Sequence, residues 1–223
     1  MKPRKNRRGS SDAEGPDSPR KPVRPVGLRI ISGKLRRRKL AYSGSPDVRP
    51  MKDRVREAVF NLLGYTVEGA HALDLFAGTG ALGLECISRG AVRATMIEQD
   101  TRTAELIRRN VAALEVEPVC SVITADVFRW AERWLPQGPE PWIVFASPPY
   151  AFYVDRLADM LTLIGRILEA APPKSGFVVE SDDRFDFGLL PNPAAWDLRS
   201  YPPAQVGIYF KELEEPADGR SES

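Results

Sequence analysis

The chain is poor in the residues that ligate metals and form cross-links. It has one histidine, His71, so a multi-histidine metal site cannot form. The two cysteines, Cys86 and Cys120, lie too far apart for the common zinc patterns. They also provide no disulfide framework, as expected of a reducing compartment. No apolar run approaches the ~20 residues that span a bilayer. The charged N-terminus lacks the apolar stretch of a secretory signal. These absences predict a cytoplasmic protein with no metal and no membrane partner; a monomer is expected, on no signal in the residues themselves.

What is present is charge, and it is sorted. The 223 residues sum to a net charge of only +2. Residues 1–56 nevertheless carry 18 basic and 5 acidic side chains, and the remainder 14 and 25. Sorting by position points to a polyanion partner for the N-terminal quarter. With 43% apolar residues the chain can build one sizeable core.

Residues 1–26 are dominated by Pro, Ser, Gly, Lys and Arg and are expected to be a disordered basic tail. A single domain is expected over 27–213, and residues 214–223 form an acidic, frayed end. Leu28–Ile31, the Ser32-Gly33 turn and the basic run to Leu40 predict a basic β-hairpin over about 28–42, leading through a Gly/Pro/Ser loop. Over Asp53–Leu63, apolar Val55, Val59, Phe60, Leu62 and Leu63 recur at helical spacing, which sets Arg54 and Arg56 off that face.

From residue 71 strands and helices alternate. Strands are predicted at Ala72–Phe76, Ala94–Ile97, Ser121–Thr124, Trp142–Ala146 and Phe177–Glu180, with helices near 81–89, 101–113, 126–135 and 153–170. This is an α/β pattern with a mainly parallel sheet covered on both faces. Ala195–Tyr201 and Val206–Leu213, joined by Pro202-Pro203-Ala204-Gln205, read as a closing antiparallel hairpin.

Asp74-Leu-Phe76-Ala-Gly78-Thr-Gly80-Ala-Leu-Gly83 follows the first strand and opens a helix. Its glycines let backbone approach a ligand at the carboxyl end of a sheet. NAD, FAD and S-adenosylmethionine folds all use such turns. Glu98, about 20 residues on, can accept both hydroxyls of a ribose. Asp126, followed by Val127, can accept from an adenine amine or cap a helix. No basic residue closely follows the glycine turn, which favours a nucleoside without phosphates.

The fourth strand runs into Ser147-Pro148-Pro149-Tyr150, which resembles the motif that amino-methyltransferases use on an exocyclic amine. The amine's lone pair is delocalised into the ring. A side-chain acceptor and a proline carbonyl can hold its two N–H bonds, and the aromatic ring can stack on the base.

With these residues in view, about five-sixths of the chain, from 27 to 213, resembles the RsmD family of bacterial methyltransferases that modify guanine N2 in 16S ribosomal RNA. The similarity runs through Leu28–Leu40, Arg49-Pro50, Asp53-Arg54-Val55-Arg56-Glu57, Asp74–Gly83 and Ile97-Glu98. It implies a Rossmann-like class I methyltransferase fold: a mainly parallel seven-stranded sheet with a C-terminal antiparallel hairpin and an N-terminal basic β-hairpin. It implies S-adenosyl-L-methionine as cofactor, held by Asp74, Phe76, Gly78, Gly80, Glu98, Asp126 and Val127. The catalytic set is Ser147, Pro148, Pro149 and Tyr150. The partner is 16S rRNA, naked or in a small-subunit particle, met by Arg29, Lys34, Arg36, Arg37, Arg38, Lys39, Arg49, Arg54 and Arg56. Two positions depart from the family: Ser147 replaces the usual Asp or Asn, and Met51 replaces Thr after Arg-Pro. Two other functions stay open, an adenine-N6 nucleic-acid methyltransferase and a non-catalytic RNA-binding or ribosome-assembly factor that kept the fold. Neither cysteine stands where a C5-pyrimidine methyltransferase needs its nucleophile.

Overall fold

The structure, a computed structural model, describes residues 27–44 and 50–212. The expected tails at 1–26 and 214–223, Leu213 and Arg49 lie outside the described residues.

A first helix, α1 (Asp53–Leu63), precedes four strand–helix units and a fifth strand. These are β1 (His71–Asp74), α2 (Ala81–Ser88), β2 (Arg93–Glu98), α3 (Thr101–Ala113), β3 (Cys120–Thr124), α4 (Val127–Arg133), β4 (Trp142–Ala146), α5 (Phe152–Asp155), α6 (Leu157–Ala170) and β5 (Gly176–Ser181). The chain closes with β6 (Asp197–Tyr201) and β7 (Ala204–Phe210). The seven strands lie in the order β3-β2-β1-β4-β5-β7-β6. β1 to β5 are parallel, and β7 inserts antiparallel between β5 and β6.

The central strands β1, β4 and β5 are buried along their length, because helices cover both faces. One face packs α1, α2 and α3, with Phe60 against Phe145 at 5.7 Å between ring centres. The other packs α4 and α6 with Phe185, Phe187 and Trp196.

Local differences from expectation have local causes. The helix expected over 153–170 breaks at Arg156, whose φ/ψ of −133°/33° separates α5 from α6. The last turn is tighter than Pro202–Gln205, because Ala204 and Gln205 already pair with Tyr201 and Ser200. The basic hairpin is shorter than expected. It closes on one antiparallel bridge, Arg29 to Lys39, flanked by Ile30 N–H to Arg38 O and Leu40 N–H to Leu28 O. The backbone donors from Ile31 to Leu35, Gly33 aside, turn to α2 instead. The Glu85 carboxylate accepts from Ile31 N at 2.7 Å and Ser32 N at 3.0 Å, and Ser88 O accepts from Lys34 N at 2.8 Å. Gly33 is obligatory at this seam. Its φ is +78°, and an added Cβ would lie 1.9 Å from Ser88 O. Asn110 on α3 completes the docking by exchanging both amide bonds with Ala41.

Candidate active site

Strand order reverses at β1, whose neighbours are β2 and β4. Loops leaving the carboxyl ends of these strands diverge and open a crevice. Here it is a cleft of about 630 Å³. Its walls come from the N-terminal end of α1, the glycine turn, the ends of β2 to β5 and the β6–β7 turn.

At one end three phenylalanines, Phe76, Phe128 and Phe152, pack with ring centres 6.1 Å apart. The Arg156 guanidinium lies 3.9 Å from the Phe128 ring centre and 5.3 Å from that of Phe152. This apolar slot suits a flat aromatic ligand. Phe128, Phe152 and Arg156 had not been singled out in the sequence, since an aromatic on an amphipathic helix reads equally as core.

Glu98 ends β2 beside that slot. Its Oε2 accepts from Gly78 N and its Oε1 from Asp100 N, both at 2.9 Å. Burial pushes its carboxyl above the usual range, and backbone donors, Asp100 and Gly78 foremost, pull against that shift. Asp126 caps α4, accepting with Oδ1 from Phe128 N and Arg129 N, while Oδ2 stands 3.9 Å from Arg156. Capping therefore occupies one of its oxygens and leaves the other at the cleft.

Of the residues expected to hold a cofactor, Phe76, Gly78, Glu98, Asp126 and Val127 line the cleft; Asp74 and Gly80 do not. Asp74 sits behind the turn, where Oδ2 accepts from Gly83 N at 3.3 Å and Oδ1 is buried without a partner. Burial pushes its carboxyl up to about 7. Gly80 faces protein: a Cβ there would meet Ile107 Cγ2 at 2.8 Å and Met96 Sδ at 3.3 Å, with φ at +73°. Both residues shape the turn that forms the cleft wall.

At the other end stand Ser147, Pro148, Pro149 and Tyr150. Ser147 Oγ is shielded from solvent and makes no hydrogen bond of ordinary geometry, though it lies beside the Glu180 carboxylate. The Tyr150 hydroxyl donates to Glu180 Oε1 at 2.9 Å. Burial and the adjoining Glu180 push the Tyr150 phenol above its usual range. Tyr201 and Pro203 form the wall supplied by the β6–β7 turn. Tyr201 and Pro203 carry no signal in the sequence, because nothing there says that this turn reaches the cleft, and Glu180 carries none because only the pairing of β5 with β4 brings it beside Ser147.

The basic residues divide. Arg29, Lys34, Arg36, Arg37 and Lys39 are exposed on the arm, as is Arg54 near it. Arg38 is exposed but donates to Ala113 O on α3. Arg56 corrects the expectation of an RNA contact: it is 0% exposed. Its Nη2 donates to Arg29 O at 2.6 Å and pairs with Asp53 Oδ1 at 3.0 Å. Nε and Nη1 have no partner, although the residue lines the cleft. The signal was in the spacing, since 56, 59, 60 and 63 form one helical stripe. Burial lowers the Arg56 pKa from its ordinary value.

Among the described residues no group of three or more His, Cys, Asp or Glu side chains could hold a metal, and no helix is long and apolar enough to cross a membrane.

Comparison with known proteins gives a consistent picture. The family described as Conserved hypothetical protein 95 matches residues 28–197. Ribosomal RNA small subunit methyltransferase D of Escherichia coli is 34% identical over 195 residues, which cover 86% of this chain and 93% of that protein. The solved structure of Escherichia coli yhhF is 33% identical with a TM-score of 0.67, matched over 83% of this chain and 98% of that one. At 20% identity the T. thermophilus 16S rRNA N2 methyltransferase RsmC, solved with AdoMet and guanosine, shares the fold. Its TM-score is 0.63 over 83% of this chain and 49% of that one.

Proposed function

The chain belongs to the Conserved hypothetical protein 95 family, the RsmD methyltransferases, and from that premise we propose that it transfers a methyl group from S-adenosyl-L-methionine to the exocyclic N2 amine of a guanine in 16S ribosomal RNA. The observation that carries this reading is the two-ended cleft. A ribose acceptor and an aromatic slot stand at one end, and Ser147–Tyr150 at the other. The reading includes a monomer working in the cytoplasm without a metal, on naked RNA or a small-subunit particle.

The residues present fit the cofactor. Phe76, Phe128 and Phe152 offer the adenine an apolar slot, and Asp126 Oδ2, paired with Arg156 at 3.9 Å, keeps acceptor capacity for its amine. Glu98 keeps acceptor capacity for ribose hydroxyls, because a carboxylate offers about four lone-pair sites and the bonds from Gly78 N and Asp100 N take one on each oxygen. The two unmet guanidinium donors of Arg56 suit a carboxylate such as that of the methionine moiety. When bound, this cofactor supplies an electrophilic sulfonium methyl. The chain itself contributes proximity and orientation. The Ser147 hydroxyl and a proline carbonyl accept from the amine, and Tyr150 packs on the base. No protein nucleophile is required.

The arm supplies RNA affinity. Lys34, Arg36, Arg37, Arg38 and Lys39, with Arg29 and Arg54, present charge to phosphates. The Glu85 and Ser88 contacts hold the arm to the body of the domain, so RNA gripped there is held at a fixed place relative to the cleft.

The test is transfer of labelled methyl from S-adenosylmethionine to small-subunit rRNA, free and in particles, followed by nucleoside analysis. Label in N2-methylguanosine is the expected result. Label in N6-methyladenosine would move the assignment to the adenine enzymes. Tight cofactor-independent RNA binding with no label on either substrate would make the chain an assembly factor.

A further inference from the structure

The target end of the cleft holds a carboxylate that the reading above leaves unused. Glu180 lies near the end of β5, and the register Ala146 to Val179 places Ser147 directly beside it. It is 9% exposed, yet it lines the cleft. Among the described residues it has no cationic partner; its hydrogen bond comes from the Tyr150 hydroxyl. Keeping an unpaired carboxylate in such a place is costly. Burial accordingly raises its pKa, opposed by Tyr150 and Ser147. A ligand rich in donors would repay that cost.

We infer that Glu180 is a specificity-determining residue that reads the Watson–Crick edge of the target base and makes the site select guanine. The inference rests on the guanine-N2 reading above and deepens it. Guanine presents N1–H and N2–H side by side, two donors that match one carboxylate; the Ser147 hydroxyl beside Glu180 shares that N2–H, and the second N2–H goes to the proline carbonyl. Adenine offers a donor at N6 and a lone pair at N1, and that lone pair repels the carboxylate. The neutral Ser147 cannot draw this distinction, because a hydroxyl both donates and accepts. Tyr150 fixes the carboxylate's rotamer by holding Oε1, which leaves the carboxylate acceptor capacity facing the base. In this chain the acceptor charge near the amine thus comes from β5, whereas the family's usual Asp would bring it from position 147.

The decisive analogue is 2-aminopurine, which keeps the 2-amino group but has a lone pair at N1. The guanine that wild-type protein labels in small-subunit rRNA is replaced by 2-aminopurine in a ligated RNA. Wild-type kcat/KM should fall on the order of 10- to 100-fold on this substitution. Glu180→Gln can turn its amide N–H towards N1. It should lose activity on guanine and narrow the ratio of the two substrates to within a few-fold. Glu180→Asp should keep the guanine preference at a lower rate. Calorimetric S-adenosylmethionine affinity equal to wild type certifies that each variant is folded. The inference is overturned if wild type methylates both bases equally, a result that needs no variant. It is also overturned if folded Glu180→Gln retains the wild-type ratio. If wild type labels no guanine at all, the guanine-N2 reading itself fails, and the inference with it.

Discussion

Glu85 gives the sharpest test of how the basic arm is held. The side chain is completely buried. Its oxygens accept from Ile31 N at 2.7 Å, Ser32 N at 3.0 Å and Arg89 Nε at 2.8 Å. Each charge-assisted bond is worth about 1.5–3 kcal/mol, and the three are not additive. Arg89 keeps some exposure to solvent and can rehydrate, which removes part of its share. Ile31 and Ser32 N–H would either stay buried and unpaired or pull the arm into water. Glu85→Ala should therefore cost about 3–5 kcal/mol, as for other broken buried pairs. The arm has further anchors in Ser88, Asn110 and Arg56, so opening should begin at Ile31 and Ser32 rather than across the whole fold. Urea unfolding reads the total, and hydrogen exchange reads those two amides. Glu85 lies outside the cleft, so S-adenosylmethionine affinity should hold while RNA affinity falls. A destabilisation below about 1 kcal/mol with unchanged exchange at Ile31 and Ser32 would refute the idea that this carboxylate is the arm's main anchor.

Glu98→Ala removes the acceptor beside the aromatic slot and should weaken S-adenosylmethionine by about 1.5–3 kcal/mol, read by calorimetry; unchanged affinity in the folded variant would displace the ribose from this residue. Neutralising Arg36, Arg37 and Lys39 together should lower the slope of log affinity against log salt by about 0.7 for each phosphate of single-stranded RNA that these side chains neutralise, with cofactor binding unaffected. The single histidine offers a pH test: burial pushes His71 down from 6.5 to about 4, with its ring bonded to Thr95 Oγ1 at 2.8 Å. The unfolded chain therefore binds a proton that the folded one does not, and stability should fall as pH drops from 6.5 towards 4, by about 1–2 kcal/mol after solvent screening. NMR titration of this one imidazole checks the shift, and an ordinary midpoint would remove the effect.

The local chemistry was legible because it is written in contiguous residues. Strand–helix alternation, the turn from Asp74 to Gly83, the acid at Glu98 and the Ser147–Tyr150 run each report a short-range constraint, and a parallel sheet brings strand ends to one edge without further information. The charge split announced the arm in the same way. Contacts between distant segments were not legible. Arg56 read as a surface cation because basic residues are usually solvated, although its helical stripe and the nearby Arg29 carbonyl bury it. Asp74 and Gly80 matched a ligand turn in pattern, yet Gly83, Ile107 and Met96 claim them. The hairpin reached only one bridge because α2, more than 50 positions away, takes the backbone donors of Ile31, Ser32, Lys34 and Leu35. Glu180 meets Tyr150 across 30 positions, and only the pairing of β4 with β5 brings them together. Sequence alone determined which groups were available and in what local geometry. Tertiary packing decided which of them face the cleft, because burial and long-range hydrogen bonding compete for the same polar atoms.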